Sequence, residues 1–282
     1  RSLVVYDGKL LVGGTFSTIT SPIYIFRRSL VEFDLNTGAL TSWDPGVLGS
    51  SSSVNAMVVN GNLLYVAGSF TQFMGFTSNN LAKVSFSGGV KTRITWTPGF
   101  SSGVNGEVYH MEELGSKLII AGNFTSLGTT ARKGLAMVNK GSNAVHAFNP
   151  QGSNMIGVSD IKRVGSRFYL SLGSTGVPFG TTTRNYLASF DTTSLTLTSW
   201  NPNPSGMVNL NVANGLLFAS GNVELIGFVE APLVAKFNAN TDELINWKLP
   251  IQGNEARTVA IGDGKLFVSG TIVQPFNNNG LR

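Results

Sequence analysis

The chain has 282 residues, room for one large all-β domain or two ordinary ones, and its 42% hydrophobic residues can fill a sizeable core. It has no cysteine, which excludes disulfides, cysteine metal sites and cysteine nucleophiles. Charged residues are only 12% and the net charge of +5 is scattered, so the basic stripe interleaved with aromatics that a nucleic-acid binder needs is missing.

In chain order, the first element is an apolar run, "LVVYDG", ending in an Asp-Gly pair. "LLVGGTFSTI" follows from Leu10, then "LVEFDLNTG" from Leu30 and "TSWDP" around Trp43. The series then starts again. "AMVVNG", "LYVAGSFTQF" (Leu64), "LAKVSFSGG" (Leu81) and "ITWTP" (Trp96) form a second copy. "HMEELGS", "LIIAGNFTSL" (Leu118), "LAMVNKGSN" (Leu135) and "HAFNP" (Phe148) form a third. "IKRVGS", "YLSLGSTGVP" (Tyr169), "LASFDTTSL" (Leu187) and "TSWNP" (Trp200) form a fourth. "LNVANG", "LFASGNVELI" (Leu217), "VAKFNANTD" (Val234) and "INWKLP" (Trp247) form a fifth, and "VAIGDG" with "LFVSGTIVQP" (Leu266) opens a sixth. Gly14, Gly68, Gly122, Gly173, Gly221 and Gly270 mark one column, 48 to 54 residues apart, and all four tryptophans fall in another.

Each copy reads as four short strands, here a to d. Strands a and b are joined by Asp-Gly, Asn-Gly or Gly-Ser, which suit the left-handed torsions of tight hairpins. No stretch has a helical 3.6-residue period, and no apolar run reaches the ~20 residues of a membrane-spanning helix. Four strands per ~50 residues predict an all-β fold, a β-propeller of four-stranded antiparallel blades. Six blades are expected over one domain, residues 1–282, or seven if flanking sequence adds one. Arg1 aligns with Arg257 at the head of strand a, and Arg282 aligns with the second residue of a strand c. The expectation is a segment of a longer chain that starts and stops within a blade. The Trp column is expected to wedge between blades. The glycine column is expected to allow a left-handed torsion or a close backbone approach.

"LYVAGSFT…NNLAKVSF…ITWTPGFSSGVN" resembles the YVGGxF-type repeats, grouped with the DUF5122/delta-60 β-propellers of large secreted and surface proteins. It is also similar to kelch repeats in its glycine and its Trp 25 to 30 residues on. Phe148 in place of Trp and the Ser-Thr after Gly173 depart from the pattern. The resemblance implies a rigid display module of an exported, mostly bacterial protein, with no shared catalytic residues to carry over.

The titratable residues add little chemistry. His110 and His146 are the two histidines, and Glu112 and Glu113 are adjacent, so they point to opposite faces of a strand. A channel-sited hydrolase or lyase would need His110 and one of these glutamates at the axis. Asp34 and Asp191 read as turn caps. No catalytic residue, metal or cofactor is expected. The loops after strand b differ most between copies, so contacts are expected there, through Phe26, Phe73, Met74, Phe76 and Phe179, exposed together as a protein interface. The functional expectation is a non-enzymatic extracellular or cell-surface scaffold for protein interaction, adhesion or assembly. A glycan bound on the Trp column is the alternative.

Overall fold

A computed structural model of the chain describes residues 1–20, 24–95, 103–150, 157–247, 249 and 252–273. Among them there is no helix; every regular element is a β-strand. Two units contain them, Arg1–Asn149 with repeats 1 to 3 and Pro150–Arg282 with repeats 4 to 6.

Strands a and b form an antiparallel hairpin in each repeat: Ser2–Tyr6 with Lys9–Gly13, Ser53–Asn60 with Leu63–Ser69, and Glu107–Leu114 with Lys117–Asn123 in the first unit. Val158–Val164 with Arg167–Leu172, Val208–Ala213 with Leu216–Gly221, and Gln252–Gly262 with Lys265–Val273 do so in the second. The turn chemistry follows from residue order. Where the pair is Asp7-Gly8, Asn214-Gly215 or Asp263-Gly264, both residues have positive φ, as a type I′ turn requires. In repeats 2, 3 and 4 only the leading Gly61, Gly115 or Gly165 is positive, the type II′ pattern. In repeat 2 this moves the turn one residue on, to Gly61-Asn62, because Asn60 pairs with Leu63.

Strand c, at Leu30–Asp34, Leu81–Ser87, Leu135–Asn139, Leu187–Asp191 and Val234–Asn238, pairs with the other edge of strand b. Just before it stands a left-handed residue in each of these five repeats: Ser29, Asn80, Gly134, Tyr186 and Leu233. A full strand d, Val90–Ile94, occurs only in repeat 2 among the described residues, after the tight Gly88-Gly89 turn. In repeats 1, 3, 4 and 5 a wider turn leaves strand d as a single bridge, at Leu40, Val145, Leu197 and Leu244. Asp34 and Asp191 cap two of these turns, accepting the amides two and three residues on at 2.7 to 3.0 Å. The Lys9 ammonium and the Thr37 amide hold the Asp34 carboxyl down at about 2.

Within each unit the sheets stack face to face as propeller blades. Strand a of one packs on strand a of the next, and an apolar cluster fills each gap. Leu64 and Val66 face repeat 1 while Tyr65 and Ala67 face repeat 3, so this strand b is buried on both sides and reads as a continuous apolar run. Each such side chain contributes about 1.5–3 kcal/mol of burial, more than one sheet alone would retain.

The glycine column answers to a close approach. A Cβ on Gly68, Gly122, Gly221 or Gly270 would come 2.0–2.1 Å from a carbonyl oxygen at the head of strand a. The neighbouring strand a carries a β-bulge there in repeats 2, 3 and 6. Gly14 faces Phe16 instead, at 3.2 Å. Gly173 does not belong to the column. Tyr169 occupies the place of Tyr65, since each pairs with the third residue of strand c, and this puts Leu172 at the Gly68 position. Gly173 lies one residue later, its amide bonded to the Gly157 carbonyl at 2.7 Å.

Candidate functional site

The segments after strand b are more ordered than loops. In repeats 1 to 5 each is a second, short hairpin: Thr18–Ile19 with Ile25–Phe26, Gln72–Phe73 with Phe76–Thr77, Ser126–Leu127 with Thr130–Ala131, Val177–Phe179 with Thr182–Arg184, and Leu225–Ile226 with Val229–Glu230. The chain arriving from the previous repeat joins its inner strand by one bridge, at Leu48–Gln72, Val104–Leu127 and Pro204–Ile226. The Met74 amide also donates to the Pro45 carbonyl at 2.6 Å.

This geometry divides the expected contact residues. Phe73 is fully buried beside Phe70, and Phe179 is buried against Phe190 with ring centres 5.4 Å apart. Both are core residues, which corrects the expectation that they form part of an exposed patch. They sit on the inner strand of their hairpins, as the buried Leu127 and Ile226 do, and an apolar residue at that place in four copies was the overlooked signal. Met74 is half-buried at a left-handed tip position. Phe26 and Phe76, on outer strands, are 56% and 57% exposed.

The tryptophans hold the blades apart. Trp200 is buried edge-on between Tyr169 and Phe237, and its Nε1 donates to the Asp242 carbonyl at 3.2 Å. Trp247 packs edge-on to Phe218 under Lys236, and Trp43 packs into the repeat 1–2 cluster with the Lys91 ammonium 5.0 Å from its ring centre. Phe148 is buried in their place in repeat 3, and Trp96 lies outside the described residues.

An arginine column was also missed. Arg184 is buried, donating from Nε to the Trp200 carbonyl at 3.1 Å and from Nη2 to the Thr198 carbonyl at 2.7 Å. Burial pushes its guanidinium pKa down. Arg132 reaches the His146 carbonyl from the same place in repeat 3, and Arg27 reaches Asp44 in repeat 1. Repeat 2 has Ser78 there, and Arg93 of strand d reaches back to the Ser78 hydroxyl and the Thr77 carbonyl, both at 3.1 Å. An arginine thus ties hairpin to strand d in repeats 2, 3 and 4, supplied from opposite sides, and in repeat 1 ties the hairpin to Asp44 just beyond strand d.

His110 and Glu112 share one face of their strand, two residues apart, both half-buried. The Glu113 carboxylate is bound by Asn60 Nδ2 at 2.6 Å and by the Lys140 ammonium, which ties repeat 3 to repeat 2. Among the described residues no group of three or more His, Asp or Glu could hold a metal ion.

Concave surface lies where a Trp-x-Pro segment meets the next repeat's hairpin. In the first unit a cleft of ≈ 490 Å³ runs between Trp43, Asp44, Met74, Gly75 and Lys91. It shares Asp44 and Gly46 with a smaller hollow of ≈ 240 Å³ beside Phe26, Arg28 and Leu48. The second unit has the equivalent cleft, ≈ 340 Å³, between Trp200, Pro202 and the hairpin tip Gly227-Phe228, where Phe228 is fully exposed. Three of the five expected contact residues, Phe26, Met74 and Phe76, lie on or next to the first cleft.

The family model of the Rax2 C-terminal beta propeller domain matches residues 30–241 of this chain. None of the curated proteins compared with it matches. Among solved structures, the crystal structure of the computationally designed Ika8 protein is similar, with 10% identity and a TM-score of 0.52, over 96% of this chain and 81% of that one. At that identity the likeness is one of fold alone.

Proposed function

Because the chain belongs to the family of Rax2 C-terminal β-propeller domains, we propose that it is a non-enzymatic interaction scaffold that binds a protein partner through its hairpin tips. The exposed Phe76 and Phe228, each at a hairpin that walls one of the two equivalent clefts, and Phe26 on the hollow adjoining the first, carry this reading. Large apolar side chains held in the open at hairpins otherwise tied into the core mark contact surface. The low charge and abundant hydroxyl and amide side chains support placing the module at the cell surface or outside the cell, in adhesion or assembly.

A photo-crosslinking amino acid at Phe26, Phe76 or Phe228 tests this in cells producing the protein. Protein adducts are expected at these three positions and not at the exposed Lys265 in the turn-end of repeat 6. Adducts equal in yield at Lys265 would remove the reading. The glycan alternative gains no support from the tryptophans, because Trp200 is buried and the Trp43 ring lies beneath Lys91.

A further inference from the structure

We propose that the cleft of the first unit selects an acidic, apolar peptide segment of its partner. This rests on reading the clefts as protein-interaction surface. The two exposed phenylalanines flanking the cleft each carry a guanidinium: Arg28 lies 4.9 Å from the centre of the Phe26 ring and Arg93 lies 4.8 Å from that of Phe76. Four cations, Arg27, Arg28, Lys91 and Arg93, surround this region against two carboxylates. Lys91 pairs with the buried Glu32 at 3.0 Å and Arg27 with Asp44 at 3.4 Å, which uses both acids. Arg28 and Arg93 have no carboxylate partner among the described residues.

A guanidinium stacked on a ring keeps its N–H edge outward, where it matches a carboxylate bidentately. Arg28 is the freer of the two, since Arg93 already donates to Thr77, Ser78 and Thr95. The exposed edges of Phe26 and Phe76, with Leu48 at 40% exposure on the wall of the smaller hollow, ask for apolar groups alongside those acids. A sulfated sugar would supply the charge but needs an open aromatic face to stack on, and here Arg28, Arg93 and Lys91 lie over the three rings. The second unit's cleft has Asp242 rather than these cations on its wall, so the charge preference belongs to the first unit.

Panning a phage-displayed random dodecapeptide library against the full chain tests the proposal. The enriched pool should carry an excess of Asp and Glu beside Phe, Leu or Met. A recovered peptide should bind Arg28→Gln about tenfold more weakly, and binding should fall with salt. The double variant Arg28→Gln/Arg93→Gln should lose the acidic excess. Arg28→Gln alone guards against misfolding, because Arg28 makes only the ring contact while Arg93 braces the hairpin. An enriched pool with no acidic excess, or an excess that survives Arg28→Gln, overturns the proposal and leaves the interaction reading standing. Failure of any peptide to enrich, together with binding of a heparin-derived hexasaccharide that Arg28→Gln abolishes, overturns both.

Discussion

Arg184 donates from Nε to the carbonyl of Trp200 at 3.1 Å, joining the outer edge of a hairpin to a strand that makes only one bridge to its sheet. The same side chain satisfies the Thr198 carbonyl. Replacing it with Met leaves two carbonyls in the interior without donors. Arg184→Met should cost about 3 kcal/mol, read as a lower midpoint in urea unfolding. Arg184→Lys, lacking the planar fork, should recover less than half of it. Stability unchanged in the Met variant would show that strand d does not depend on this arginine.

Gly68 and Gly141 make a contrasting pair. A Cβ on Gly68 would lie 2.0 Å from the Ser53 carbonyl oxygen, and backbone cannot give way as a flexible side chain does. Gly68→Ala should cost about 3 kcal/mol or more. Nothing lies within 4 Å of a Cβ on Gly141, and its φ is not positive. Gly141→Ala should be neutral or stabilise by up to about 1 kcal/mol through the unfolded chain. Thermal unfolding of the two proteins side by side settles this.

Asn80 is left-handed, accepts the Phe70 amide at 3.0 Å and donates to the Val104 carbonyl at 2.8 Å. Asn80→Ala removes all three adaptations and should cost about 2–3 kcal/mol. Asn80→Gly restores only the torsion and should fall between the two. Hydrogen exchange of the Phe70 amide should rise in both variants.

His146 introduces a pH dependence that its counterparts lack. Its Nδ1 accepts the Phe148 amide at 3.1 Å, where Thr41 and Thr198 use a hydroxyl to hold Trp43 and Trp200. Burial first, then Lys117 and Arg132, hold its pKa below the ordinary 6.5. The unfolded chain therefore takes up a proton before the folded one does. Stability should be full above about pH 6.5 and fall as the pH drops from there towards the depressed folded value. His146→Thr should flatten that part of the profile; an unchanged slope between pH 7 and 5 would assign it elsewhere.

The parts of the fold that rest on two- and four-residue patterns were legible in the chain. Asp7-Gly8 and Asn214-Gly215 announce their turns, Asp34 and Asp191 their caps, and the strand b runs their double burial. What escaped needed register. Gly173 looked like a column member by its flanks, and only the pairing of Tyr169 with Ser189 shows Leu172 in that place. The inner hairpin strands are two or three residues long, too short to show alternation, so Phe73 and Phe179 could be told from Phe76 only by aligning them with Leu127 and Ile226 in the other copies. The arginines escaped because Arg93 and Arg184 occupy different columns while doing one task.

The bridges from Leu48 to Gln72 and from Pro204 to Ile226 shift the phase of the folding unit against the phase of the sequence repeat. A fragment cut at the start of strand a, at Ser53 or Val208, would lose the stretch of chain that buttons down its own hairpin. One cut just after the aromatic, at Asp44 or Asn201, would keep it. The structural repeat therefore begins in the tail of its predecessor, and inheritance of whole repeats by duplication would have to carry that overhang along.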